Sequence, residues 1–396
     1  MSMLKVRDDF LRAQLAIGAL FLFLGFQYAT WAARLPALKS KLDLGEAEIG
    51  LLLMACGAGA AASFPLVAVL MRKLGSRRLA LFSALALGAL LLALAAAPNY
   101  PVAVVVICLD GVAVGALNVA MNAQGAALEA AHQRTTMGKL HATFSAGSFL
   151  AALLASAVTA LTPALAAHFG IATGLLLLVL AYSGPGLLPE DPGTEAEPQP
   201  AEEAAAGKRR GLPLPSKVTI WMGAAMVFGT VTEGSMNDWS ALYMEDVAGA
   251  SEKVAPLGIA VVSVMMVLAR IFSDSWRSRW GDGRIVRVGS ALAGTGLALA
   301  LLTGGVVPAL IGFACMGLGI AAVTPCVYVA AAKQGPDALS LVAATGTTGL
   351  LAGPALIGFI ASASSLAWGM GAVAASAVLV SLCATRIRWE RPAGDA

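Results

Sequence analysis

Twelve runs of mostly apolar residues, each about 20 long, divide this chain. They cover 13–33, 48–71, 78–97, 101–126, 139–161, 163–184, 218–243, 255–278, 285–303, 307–332, 339–361 and 365–385. At 1.5 Å per residue, a helix of that length crosses the ~30 Å of hydrocarbon in a bilayer. Only helices and closed barrels can span it, because every backbone amide there needs a partner inside the protein. The runs are rich in Leu, Ala and Gly and lack the period-two alternation of a barrel strand. The pattern predicts an all-α integral membrane protein with twelve transmembrane helices.

One long polar interruption, 185–217, separates six runs from six. Its Pro, Glu, Ala and Gly cannot bury a core, so it reads as a flexible linker. The expected organisation is an N-terminal six-helix bundle over 1–184, the linker over 185–217, and a second bundle with a short tail over 218–396. The basic residues test the span assignment. If the N-terminus is cytoplasmic, 21 of the 26 Lys and Arg fall on that side. Only Arg34, Lys39, Lys41 and Lys253 fall on the other, and Arg270 lies within a span. This is the asymmetry of the positive-inside rule, and one miscounted span would destroy it. Both termini are therefore expected in the cytoplasm and the chain in a cell inner membrane, with the lipid bilayer as its surroundings.

Composition agrees. Charged residues make up 12% of the chain, against roughly 25% in soluble domains. The mean hydropathy is +0.80. The apolar stretch that begins at Ala13 is too long for a signal peptide's core and suits a retained first span. Five cysteines all sit inside apolar runs without CxxC or zinc spacing, and three histidines form no ligand cluster. No metal or cofactor is expected. No GxxxxGK[ST] motif is present to bind ATP. Nor does the sequence group a nucleophile with a base, so an enzyme is not expected, and nothing points to nucleic acid.

A weak internal repeat follows the six-and-six division. Trp31 precedes Gly50 by 19 residues and Trp239 precedes Gly258 by 19. Each copy then reaches a basic, glycine-containing turn, RKLGSRR (72–78) or RSRWGDGR (277–284). Two like-oriented halves of six spans form the parallel repeat known from secondary transporters. The first turn resembles the signature loop of the major facilitator superfamily: Lys73, Gly75, Arg77 and Arg78 fit it, whereas Ala68 replaces its first glycine and Arg72 its acid. TWAARLPALK (30–39), NVAMNAQGAALE (118–129), HATFSAGS (141–148) and EGSMNDWSALY (233–243) resemble the YbjJ-like branch of that superfamily, as does the Arg270/Asp274 segment. The resemblance implies two pseudo-symmetric six-helix bundles, a gating role for Lys73, Arg77 and Arg78, and spans 1, 4, 7 and 10 around a central cavity. There Tyr28, Asn118, Asn122, Glu233 and Asn237 would converge.

Polar side chains in a bilayer are expensive and need a reason. In span 7, Glu233 and Asn237 are four apart and share a helix face, as do Trp239 and Tyr243. Glu233 reads as a proton or substrate group, or as a carboxylate fixed by a basic partner such as Arg34 in a gate. Asp238 is a further proton candidate. Trp239 and Tyr243 read as ligand contacts or interfacial anchors. In span 4, Gly111, Gly115, Asn118, Asn122, Gly125 and Glu129 form one stripe. That stripe suits close helix packing, or a watery wall on which Asn118 and Asn122 bond a solute. Asp110 lies on a different face and is a second proton site. Arg270 and Asp274, four apart, read as a gating pair that can neutralise each other. Glu129 and His141 suggest a pH-responsive gate. In span 1, Gln27, Tyr28 and Trp31 are polar or aromatic, with Tyr28 and Trp31 as substrate contacts. Span 11 holds Gly346, Gly349, Gly353 and Pro354, a segment able to pack closely and to bend.

These features predict a secondary transporter that moves a small polar, sugar-like solute by alternating access, coupled to protons. Its partners are that solute and protons, and it is expected to act as a monomer. The alternative is proton-driven efflux of drugs or metabolites. A receptor or a membrane enzyme fits less well, since no sizeable extramembrane domain accompanies the spans.

Overall fold

The computed structural model describes residues 3–132, 134, 136–189 and 216–389. Most of the expected linker, 190–215, lies outside the described residues. Among them every regular element is helical. In chain order the helices are α1 (Met3–Ala32), α2 (Leu35–Leu42), α3 (Glu46–Ala96), α4 (Tyr100–His132), α5 (Met137–Leu161) and α6 (Leu165–Ser183). After the polar stretch come α7 (Lys217–Asp246), α8 (Leu257–Trp280), α9 (Asp282–Thr303), α10 (Val306–Ile320), α11 (Val323–Ala332), α12 (Pro336–Ala363) and α13 (Leu366–Ala384).

Nine described helical segments are long and apolar enough to cross a membrane. One of them, the 51-residue α3, is interrupted at Gly75, where φ is 73° and ψ 166°. Another joins α10 and α11, and its apolar stretch runs over Val306–Ala332. The long helices α7 and α8 are not among the nine; the apolar part of α8 runs over Leu257–Ser273.

The chain forms two compact units. The first comprises Met1–Leu44, Leu52–Ala196 and Glu252–Ala260, and the second Gly45–Leu51, Glu197–Ser251 and Val261–Ala396. Within the first, α1 packs most extensively on α5. Glycines allow this: a Cβ on Gly25 would overlap the Phe144 carbonyl, and one on Gly147 the Leu22 carbonyl. Hydroxyls reinforce the contact, with Thr143 donating to the Gly18 carbonyl at 2.9 Å and Ser148 to that of Gly25 at 3.2 Å. In a bilayer, packing and interhelical hydrogen bonds of this kind replace the hydrophobic effect between helices.

The second unit uses the same device between two of its long helices. There α12 packs closely on α7, a Cβ on Gly349 would come within 2.6 Å of the Val227 carbonyl oxygen, and Thr230 donates to the Gly346 carbonyl at 3.0 Å. Gly346, Gly349 and Gly353 of α12 all face α7, so these three glycines serve close packing beside Pro354, which lies within the helix.

The two basic turns share a backbone conformation. Gly75 has φ 73°, ψ 166°, and Gly281, before α9, has φ 75°, ψ 150°. Both values lie in a region open essentially to glycine alone. In each unit the segment after its last long helix folds back toward this turn. Gly184–Gly186 form a single 3-10 turn, and the Arg77 guanidinium donates to the Gly184 carbonyl at 3.1 Å. In the second unit Trp389 covers Gly283 and donates its indole N–H to the Ala384 carbonyl at 2.8 Å.

Candidate functional site

In the first unit α1 and α4 carry the polar groups. Gln27 and Asp110 are both buried, and the Gln27 amide donates to Asp110 Oδ1 at 2.8 Å. Gly111, next to Asp110, presses against the Cys56 backbone of α3, and Gly115 against Ser63. This part of the small-residue stripe therefore packs helices. One turn further along, Asn118 is exposed, and Asn122 donates to its side-chain oxygen at 3.0 Å and to its carbonyl at 2.8 Å. Those two amides form one polar patch on α4.

Tyr28 and Trp31 meet edge to face with ring centroids 5.0 Å apart. Trp31 is buried and its indole N–H has no hydrogen-bond partner among the described residues. Arg34, at the break between α1 and α2, is directed within this unit: it bonds the Thr159 hydroxyl and the Pro163 carbonyl at 2.6 Å.

The second unit holds an ion pair between helices. Arg270 Nη2 of α8 lies 3.0 Å from Glu233 Oε1 of α7. The side chains keep 25% and 28% of their exposure, so both groups reach water. Asn237 donates to the Glu233 carbonyl at 3.1 Å, which places this amide beside the pair on one face of α7. Arg270 therefore makes a contact between helices, and the side chain of Asp274, its expected intrahelical partner, lies outside the described residues. Glu233 thus has a basic partner within its own unit.

Asp238 is buried, as are Trp239 and Tyr243. Tyr243 meets Phe313 edge to face at 5.9 Å, and the Trp239 indole N–H lacks a partner among the described residues. Both aromatics are enclosed by protein. Trp31 and Trp239, which share the Trp–Gly spacing of 19 residues, each present a buried donor without an acceptor among the described residues.

The groups suggested for gating have varied roles. Glu129 accepts from the backbone N–H of Thr136 and, at 2.8 Å, of Met137. It caps the start of α5, whose first amides would otherwise lack partners. His141 is exposed and meets the Phe21 ring edge at 5.0 Å. Lys73 and Arg78 are found beside the Gly75 turn, which Arg77 ties to the Gly184 carbonyl.

Reading the sequence overlooked Gln124. Its buried amide donates to the Ser76 hydroxyl at 2.7 Å and the Leu188 carbonyl at 3.1 Å, and accepts from the Leu188 N–H at 2.8 Å. It fastens the Gly75 turn and the chain after α6 to α4 without a charge. The sequence offers one signal for this, its place on the face of α4 that also carries Asp110 and Met121. Among the described residues no group of three His, Cys, Asp or Glu side chains could hold a metal ion.

This chain, with two compact units and paired polar groups inside apolar helices, matches the profile of the Major Facilitator Superfamily over residues 15–337. The chain belongs to this superfamily. It is a membrane-spanning transporter of that type and not an enzyme. Over 373 residues this facilitator is 31% identical to the transporter y4wD of Sinorhizobium fredii, with 93% of this chain and 96% of that one covered. It is 32% identical over 377 residues to an MFS-type transporter of Yersinia pestis, covering 93% and 94%. Among solved structures its fold is similar to a point mutant of the nucleoside transporter NupG, with a TM-score of 0.74 at 13% identity over 95% of this chain and 99% of that one. It is also similar to FucP, the E. coli fucose:proton symporter, with a TM-score of 0.61 at 16% identity over 96% and 100%.

Proposed function

We propose that this facilitator is a secondary transporter of twelve spans that moves a small polar, sugar-like solute across the inner membrane by alternating access, driven by protons. The observation that carries this reading is the Glu233–Arg270 pair with Asn237 beside it. It gives an ionic and amide surface that keeps contact with water inside helices that are otherwise apolar. A hydroxyl-rich solute is recognised by such a set, since carboxylate, guanidinium and amide supply acceptors and donors together. Asn118 and Asn122 offer a second amide surface on α4. The NupG and FucP folds are named for transport of a nucleoside and of fucose, both polyhydroxylated, which accords with this substrate class.

Twelve spans follow if α3 is counted twice at Gly75, α10 and α11 once, and α7 and α8 are included. The excess of Lys and Arg on one side then supports cytoplasmic termini and a cytoplasmic 185–217 linker joining the bundles. Proton coupling draws on Glu233, Asp110 and Asp238, the carboxyl groups within the spans of α4 and α7.

Counterflow and acid-driven uptake in proteoliposomes test the proposal, with labelled monosaccharides, cyclitols and nucleosides alongside amphipathic drugs. Accumulation of a polyhydroxylated solute that rises with an acid outer bath and is lost in Glu233→Gln supports it. Flux of amphipathic drugs alone, or flux indifferent to the proton gradient, overturns the substrate class or the coupling.

A further inference from the structure

Gln27 of α1 and Asp110 of α4 are 0% and 2% exposed. Their one hydrogen bond joins the amide nitrogen to Asp110 Oδ1 at 2.8 Å. The two remaining atoms of the pair, Asp110 Oδ2 and Gln27 Oε1, are buried and have no partner among the described residues. Both are acceptors when the carboxyl is ionised. What the pair lacks is a hydrogen.

The spans of α1, α3, α5 and α6 hold no counter-charge for a carboxylate here. Residues 13–33, 49–71, 79–96, 140–161 and 165–183 contain no Asp, Glu, Lys or Arg, and Asp110 is the single such residue within 100–128. The titratable side chains within the spans packed around α4 are Tyr28 on α1, Cys56 on α3 and His141 on α5; Cys108 belongs to α4 itself. The first charges along these helices are Arg12 and Arg34 flanking the span of α1, Glu48 and Arg72 flanking that of α3, Glu129 on α4 and Lys139 on α5. A buried charge without a partner is discharged most simply by a proton.

We propose that Gln27 and Asp110 form a carboxylic acid–amide pair that holds the coupling proton on Asp110 Oδ2, with Gln27 as its positioning residue. One aqueous proton adds to a lone pair of Oδ2, an O–H bond forms, and one negative charge is cancelled; no other bond changes. The new donor then has Gln27 Oε1 as the acceptor within the pair, while Gln27 Nε2 keeps its bond to Oδ1. Both orphaned atoms are satisfied at once. Loss of the proton leaves two buried acceptors without donors, so release must accompany a change in the surroundings of α1 and α4. That requirement ties the proton to a conformational step. The inference rests on the proton-coupled reading above and names the site where that proton sits.

Infrared difference spectroscopy of the full-length transporter in lipid, titrated with pH in H2O and D2O, reads the acid directly. A carboxylic-acid C=O band that is sensitive to deuterium, disappears in Asp110→Asn and moves in frequency in Gln27→Met is the expected result. The wild-type titration provides a readout even if a variant fails to fold. In proteoliposomes Asp110→Asn should keep solute counterflow while acid-driven accumulation falls tenfold or more. A band unchanged by both substitutions overturns the proposal, as does accumulation that follows sodium instead of acid. Wild-type protein that exchanges no solute sinks the transporter reading and leaves the spectroscopic result to stand or fall by itself.

Discussion

The guanidinium of Arg270 on α8 meets the carboxylate of Glu233 on α7 at 3.0 Å, and both side chains remain about a quarter exposed. A pair with that much water around it stabilises the fold only modestly, on the order of 1 kcal/mol. Its value lies in keeping two opposite charges together inside an apolar bundle, where a lone one is costly. The double variant Glu233→Arg with Arg270→Glu should therefore recover most of the thermal stability lost by either single change. A double-mutant cycle on melting temperature in detergent checks this; additive losses would show that the two groups act separately.

The repeated turns predict a matched pair of effects. Gly75 and Gly281 adopt φ near +75° with extended ψ, where an L side chain costs roughly 1–3 kcal/mol. Gly75→Ala and Gly281→Ala should each lower the melting temperature by a similar amount. A loss at one position with none at the other would break the structural equivalence of the two turns.

Those turns also show what could be read from the sequence and what could not. The apolar runs revealed the helical membrane fold because their length is fixed by bilayer thickness. The Trp–Gly spacing and the two basic loops suggested a repeat, and Gly75 and Gly281 share a backbone conformation. Placing Glu233 and Asn237 on one face also needed nothing beyond helix periodicity. Partners across helices were not readable. Arg270 reaches Glu233, 37 residues away, and no local rule encodes that. Gln124 and Gln27 were underweighted because an amide within a span looks the same whether it braces a turn, holds a carboxyl or faces a solute. Nor was the capping of α5 by Glu129 readable: its nearness to the orphan amides of Thr136 and Met137 depends on how α4 and α5 are brought together.

Gln124 lends itself to a separate test. Its amide makes three hydrogen bonds, to Ser76 and to both backbone groups of Leu188. Gln124→Leu retains the volume and removes all three, leaving a buried hydroxyl and a peptide group to find other partners, at about 1–3 kcal/mol each where they cannot. Amide hydrogen exchange at Leu188 should accelerate while that of α5 does not. Unchanged protection at Leu188 would show that the clasp is incidental.

The contact between α1 and α5 gives the sharpest prediction about the fold itself. A Cβ on Gly147 would overlap the Leu22 carbonyl oxygen, and the nearest atoms there are backbone, which cannot swing aside as a side chain can. Gly147→Ala should force the helices apart and cost about 1–3 kcal/mol, the usual penalty for overpacking. Gly174 on α6 supplies the control, because a Cβ there meets nothing within 4 Å. Gly174→Ala should be neutral or slightly stabilising, since alanine favours the helix. Thermal unfolding of the two variants side by side separates close packing from helix propensity: a drop confined to Gly147→Ala is expected. Equal behaviour at both positions would mean that the helices tolerate a methyl group at their tightest crossing, and that glycine there serves flexibility instead.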